Sequence, residues 1–176
     1  MNEILQVKGL TKQYLNFKLD HVSFSIPEGT IMGMIGENGA GKSTTIDAIL
    51  GLIMKDGGEV TFWGQELSAE NKQLKEDIGV VFDGINFFET LTALKIGKIA
   101  KATYQQWDDA AYRTYLKQFQ LPLNKEIKDF SKGMRMKLGI IVALSHHPKL
   151  LILDEATSGL DPVTRDDILD IFLDFV

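Results

Sequence analysis

The chain of 176 residues contains no cysteine, which excludes disulfide bonds and thiolate metal sites and fits a reducing cytosol. It has no apolar run near the roughly 20 residues that a membrane-spanning helix needs. Its first residues do not pair a basic stretch with an apolar one, so no secretory signal is predicted. We therefore expect a cytoplasmic protein that meets any membrane through a partner.

Positive charge is also scarce. Lysine and arginine total 19 against 24 acidic residues, which leaves a net charge of −5 and no basic block. This balance argues against nucleic acid as the main partner. The hydrophobic content of 44% and the charged content of 24% are typical of a globular protein with one ordinary domain or two small lobes.

One glycine-rich stretch organises the rest of the chain, because it matches the phosphate-binding pattern G-x-x-x-x-G-K-[ST] without a gap. Its residues are Gly36, Glu37, Asn38, Gly39, Ala40, Gly41, Lys42, Ser43 and Thr44. An apolar run from Thr30 to Ile35 predicts a strand before it, and the apolar spacing after it predicts a helix. In this setting backbone N–H groups point at an anion, Lys42 reaches the β- and γ-phosphates, and Ser43 binds Mg²⁺.

Apolar segments elsewhere predict further strands. Val22 to Ile26 alternates with serine, as a half-buried antiparallel strand does, and Ile4 to Val7 and Val60 to Trp63 are of strand length. Ile78 to Phe82 and Leu150 to Leu153 are continuously apolar, which is typical of strands covered on both faces. Together they indicate an α/β domain.

Between the last two strands the apolar period becomes helical. Two consecutive helices between Thr90 and Gln120 indicate a small helical lobe inserted into the α/β core, and Asp108 is placed to cap the second. Ser131 is predicted to cap another helix. His146 and His147 have no carboxylate or cysteine at metal-ligand spacing, so both are predicted to be surface residues.

Two adjacent carboxylates, Asp154 and Glu155, follow the strand that ends at Leu153. Ligands of open α/β sheets bind outside the carboxyl ends of the strands. Asp154 is therefore predicted to hold a metal and Glu155 to face the attacking water. Asp83 alone has the character of a turn residue, and Tyr14 is either a packing aromatic or a ring on which a base stacks.

The order of these motifs resembles the nucleotide-binding subunit of an ATP-binding cassette (ABC) transporter over the whole chain. Residues 36–44 match the Walker A motif, 150–155 match Walker B with its catalytic glutamate, and 158–161 match the D-loop. The resemblance places Tyr14 where the family stacks adenine. It places residues 130–134 at the signature L-S-G-G-Q.

The implied fold is an α/β P-loop NTPase core with a mainly parallel sheet, an N-terminal antiparallel β subdomain and an inserted α-helical subdomain. By this resemblance residues 1–83 and 146–176 form the core, and 84–145 form the helical subdomain. The family's switch histidine and later strands would lie beyond Val176. We therefore expect a truncated chain that lacks the C-terminal part of the core and has weak or absent turnover.

Two motifs depart from the family pattern. The signature reads F-S-K-G-M, which keeps Ser131 and Gly133 but introduces Lys132 and Met134. Asp83 stands where the family has the Q-loop glutamine, and its shorter side chain would contact Mg²⁺ through water.

The resemblance implies binding of ATP and Mg²⁺, with Ser43, Asp154 and Asp83 at the metal and Glu155 as the general base or the water-orienting residue. Two such subunits, alike or different, would pair so that Ser131 and Gly133 of one close on the γ-phosphate held by the other. The pair would drive a membrane permease, in export, from the cytoplasmic face of the membrane. Two alternatives remain open at this point: a soluble ABC ATPase outside transport, and a regulatory subunit that binds nucleotide without hydrolysis.

Overall fold

The computed structural model describes residues 2–68, 70–82, 87–154 and 161–176. It divides into two compact units, one reaching from the amino terminus to Lys75 and including Val176, the other running from Glu76 to Phe175. The strands are β1 (Glu3–Gln13), β2 (Lys18–Pro27), β3 (Gly57–Phe62), β4 (Ile78–Val81) and β5 (Leu150–Leu153). The helices are α1 (Lys42–Ile49), α2 (Lys72–Glu76), α3 (Ala93–Thr103), α4 (Asp109–Gln118), α5 (Lys132–Leu144) and α6 (Pro162–Phe175), with a short 3-10 helix at Ile127–Asp129.

The first unit is built on a three-stranded antiparallel sheet with β1 in the centre. Val7 of β1 lies opposite Phe24 of β2 on one side and Val60 of β3 on the other. Val7 and Val60 are buried, as are Leu5 and Phe62. The antiparallel pattern predicted for the N-terminal strands is thus confirmed.

The predicted strand from Thr30 to Ile35 is wrong. These residues belong to no strand, and the described part of the chain offers them no ladder partner in either sheet. An extended segment becomes a strand only when the backbone of another segment forms hydrogen bonds with it. A hydrophobic pattern does not reveal whether such a partner is present. The apolar side chains stay exposed, with Ile31 at 61% and Ile35 at 97%.

The second unit contains the parallel pair β4 and β5, in register from Ile78 opposite Leu150 to Val81 opposite Leu153. Helices α3, α4 and α5 bury a shared apolar cluster around Ile96, Tyr112 and Leu138. The predicted caps are confirmed, because Asp108 accepts from two N–H groups of α4 and Ser131 accepts from Met134. None of the described helices is both long enough and apolar enough to span a bilayer.

The prediction that both adjacent histidines lie on the surface is half wrong. His147 is exposed and lies 3.2 Å from Asp108, whereas His146 is only 1% exposed. The His146 ring stacks on Tyr104 with 4.2 Å between ring centroids and 4° between planes. An imidazole has an apolar body, so this aromatic contact favours burial of one ring over the other.

Candidate nucleotide-binding site

The glycine-rich loop enters α1 through a backbone conformation that favours glycine. Gly39 has φ of 84°, and Gly41, the residue before the helix, has φ of 97° and ψ of 15°. A Cβ atom on Gly41 would also lie only 2.6 Å from Cζ of Phe17. Glycine at position 41 is therefore required by backbone conformation and by space.

The start of α1 differs from that of the other long helices whose caps are described. Thr92, Asp108 and Ser131 each accept hydrogen bonds from N–H groups of the helix that follows. Gly41 has no side chain to do so, and the first turn of α1 holds no acidic residue. The positive end of this helix dipole is left for an external anion to complement.

Lys42 places a further positive charge at the same point. Its ammonium group donates to the carbonyl oxygens of Gly36 at 2.9 Å and Glu37 at 3.0 Å. The side chain is thus curled back over the loop instead of extending into solvent. The predicted phosphate-binding residues 36–44 thus form a loop at 36–41 and the start of α1 at 42–44, with the Lys42 ammonium bonded back to the loop.

Tyr14 lies in the hairpin loop between β1 and β2, and its side chain is exposed enough to receive a ligand, at 43%. The ammonium of Lys12 lies 5.5 Å from the centroid of its ring. Lys12 is held there by an ion pair with Asp56 at 3.1 Å. The N–H of Gln13 and then this ammonium hold the pKa of Asp56 below its usual value.

Phe17 is a residue of this site that the sequence interpretation missed. Its ring centroid lies 6.3 Å from that of Tyr14, and the ring packs on Gly41 of the phosphate loop. The available signal was a second aromatic residue in the short loop after Tyr14. Nothing in the local pattern connects Phe17 with a glycine as distant in the sequence as Gly41.

In the second unit, Asp154 follows β5 directly. Its N–H donates to the carbonyl of Val81 at 2.9 Å, which continues the ladder between β4 and β5 to the aspartate. This hydrogen bond places the backbone of Asp154 at the carboxyl end of a parallel strand. Glu155, Asp83 and the D-loop serine Ser158 lie outside the described residues.

The signature residues stand at the start of α5. Phe130 is buried at 5% exposure, and the Ser131 hydroxyl accepts from the N–H of Met134 at 3.2 Å. Lys132 opens the helix on an exposed position, and Gly133 follows it half-buried. A polar surface at a helix N-terminus is thereby presented next to an anchored aromatic residue.

Comparison with known proteins identifies the family. The sequence model described as ABC transporter matches residues 19–158. A bacitracin transport ATP-binding protein of Bacillus licheniformis is 37% identical over 93% of this chain, which corresponds to 54% of that protein. A fluoroquinolones export ATP-binding protein of Mycobacterium tuberculosis is 34% identical over 98% of this chain and 58% of its own length. The chain belongs to the ABC transporter family.

The fold agrees with this assignment. A solved structure described as the ATP-binding subunit of an ABC transporter superposes with a TM-score of 0.86 at 31% identity, covering 98% of this chain and 74% of that one. The predicted α/β P-loop NTPase fold with its N-terminal antiparallel sheet is confirmed. The chain spans just over half the length of the two curated relatives named above.

Proposed function

We propose that the chain is the ATP-binding and ATP-hydrolysing part of an ABC transporter subunit. The observation that carries this proposal is the start of α1, where an uncapped helix end, left-handed glycines and the Lys42 ammonium meet. The donors suit a triphosphate, since all of them present positive charge or N–H groups. Tyr14 supplies an exposed ring for adenine.

The proposed hydrolysis transfers the γ-phosphoryl group to water, with ADP and phosphate as products. Ser43 and Asp154 are proposed to hold Mg²⁺, with Asp83 contacting it through water. When bound, the ion would neutralise charge on the β- and γ-phosphate oxygens. Lys42 neutralises charge that develops in the transition state, and Glu155 orients the water and accepts its proton.

The same proposal includes a second subunit and a permease. Ser131 and Gly133 of one subunit would contact the γ-phosphate bound by the other, and Lys132 would add a positive charge there. The helical subdomain and the Asp83 region are proposed to meet a membrane permease at the cytoplasmic face, in export, as the named relatives suggest by their transport and export roles. Recovery of a polytopic membrane protein with the tagged full-length chain would support this partnership, and recovery of ribosomes instead would contradict it.

ATP binding is tested by replacing Lys42. The loss of charge-assisted hydrogen bonds to phosphate should weaken ATP binding by roughly tenfold to a hundredfold in Lys42→Ala, measured by isothermal titration calorimetry. Lys55→Ala is the matched control, because Lys55 is an exposed lysine of the same unit outside the loop. Equal ATP affinity in the Lys42→Ala and wild-type proteins would contradict the proposed site.

A further inference from the structure

The hairpin loop that carries Tyr14 is short and is held by backbone pairing. Gln13 and Lys18 lie opposite each other in the β1–β2 ladder, so residues 14–17 form the whole connection. The N–H of Tyr14 donates to the carbonyl of Phe17 at 2.8 Å. With the rings 6.3 Å apart and inclined by 34°, the loop holds its two aromatic residues at a set spacing.

Phe17 uses its position in this loop to contact the phosphate loop. A Cβ on Gly41 would lie 2.6 Å from Phe17 Cζ and 3.4 Å from Leu19 Cδ1, so these two side chains pack against Gly41. Leu19 is itself buried, at 5% exposure. Phe17 is partly buried, so Gly41 packs against one buried and one partly buried side chain.

The other side of the Gly41 peptide is held by the helix. Its carbonyl accepts from both the N–H and the hydroxyl of Thr45, each at 2.8 Å. Thr45 is 2% exposed, so this end of α1 is anchored by a buried residue. Gly41 is thus confined between an aromatic ring and a doubly hydrogen-bonded first turn, in a left-handed conformation.

We propose that Phe17 is a positioning residue that holds Gly41, and with it the phosphate-binding loop, in its binding conformation. The proposal deepens the proposed function and rests on residues 36–44 binding a triphosphate. A ring without hydrogen-bonding groups acts here by reducing the cost of ordering the loop when a ligand binds. Its contribution should therefore be the same for any ligand with the phosphate chain, whether or not a base is attached.

This property separates Phe17 from Tyr14 in experiment. Binding of ATP and of inorganic tripolyphosphate is measured by calorimetry or by competition with a fluorescent nucleotide, in the presence of Mg²⁺. Phe17→Ala should weaken both ligands by a similar factor, on the order of tenfold. Tyr14→Ala should weaken ATP and leave tripolyphosphate unchanged, because only ATP has a base to stack. Leu15→Ala is the matched control in the same loop, since Leu15 is 98% exposed, and should change neither affinity.

Folding of the variants is checked by circular dichroism, and Phe17→Leu, which fills part of the space, replaces Phe17→Ala if the latter does not fold. A loss confined to ATP would overturn the proposal and make Phe17 a base contact. Unchanged binding of both ligands would overturn it as well. If the wild-type protein binds neither ligand, the proposed function itself is refuted. If it binds both ligands and Lys42→Ala weakens both, the proposed function stands and the Phe17 variants test the positioning role alone.

Discussion

At the scale of single residues, two adjacent histidines have opposite surroundings. His147 is exposed beside Asp108, while His146 is buried against Tyr104. Burial lowers the pKa of His146 because the charged imidazolium loses its hydration. Two backbone groups and then Glu76 oppose this shift and His147 adds to it, but desolvation is the largest cause. His146 is therefore neutral in the folded protein at neutral pH.

This burial predicts an acid-sensitive fold. Below about pH 6.5 the unfolded chain binds a proton at this histidine more readily than the folded chain does, so the free energy of unfolding falls as the pH decreases. Between pH 7 and pH 5 the free energy of unfolding should fall by up to about 2 kcal/mol less in His146→Phe, which keeps a ring on Tyr104, than in the wild-type protein. Urea unfolding at both pH values measures this difference. His21→Asn is the control, because His21 is exposed. Equal pH dependence in His146→Phe and wild type would contradict the assignment.

At the scale of elements, the sequence predicted what local patterns encode. Alternation in β2, continuous apolar runs in β4 and β5, and the caps Asp108 and Ser131 follow from residues within a few positions of one another. The errors involve distant partners instead. Residues 30–35 needed a ladder partner, the burial of His146 depends on Tyr104, and the contact of Phe17 that was missed is with Gly41.

The contact between α3 and α4 shows the same dependence on a distant partner. Gly97 lies inside α3, where glycine costs roughly 1 kcal/mol relative to alanine. A Cβ there would lie 2.5 Å from Cε1 and 2.9 Å from Cδ1 of Tyr112. That ring is 2% exposed, and its hydroxyl donates to the carbonyl of Ala93 at 2.8 Å, so it is held at both ends. Close helix packing outweighs helix propensity at this position.

We therefore predict that Gly97→Ala destabilises the protein in spite of the better helix former. Displacing the fixed Tyr112 ring should cost more free energy than the higher helix propensity of alanine contributes. The free energy of unfolding, measured by chemical unfolding, should therefore fall by about 1 to 3 kcal/mol. Lys98→Ala, the exposed neighbour in the same helix, should change stability by less than about 0.5 kcal/mol. A Gly97→Ala protein more stable than wild type would show that the ring yields easily.

At the scale of the whole molecule, the net charge of −5 disfavours binding of an anionic triphosphate and pairing with a second copy of the chain, because like charges repel. Salt screens charges more than about 8 Å apart at physiological ionic strength, so the cations near the phosphates decide the outcome. Within the proposed function these are Lys42 in one subunit and Lys132 in the other. Lys132 opens α5, where the positive end of the helix dipole acts in the same direction.

The contribution of Lys132 is measurable in a protein that traps ATP. Glu155→Gln should keep ATP binding and lose at least about a hundredfold in turnover, because it removes the proposed general base. In that background Lys132→Ala should weaken ATP-dependent dimerisation by roughly twofold to thirtyfold, since two exposed charges are lost per dimer. Analytical ultracentrifugation measures the dimer, and added salt should narrow the difference in dimer affinity between the variants.

Lys125→Ala is the control, because Lys125 is exposed but precedes the helix. Dimerisation as strong in Lys132→Ala as in the control would remove Lys132 from the γ-phosphate contact.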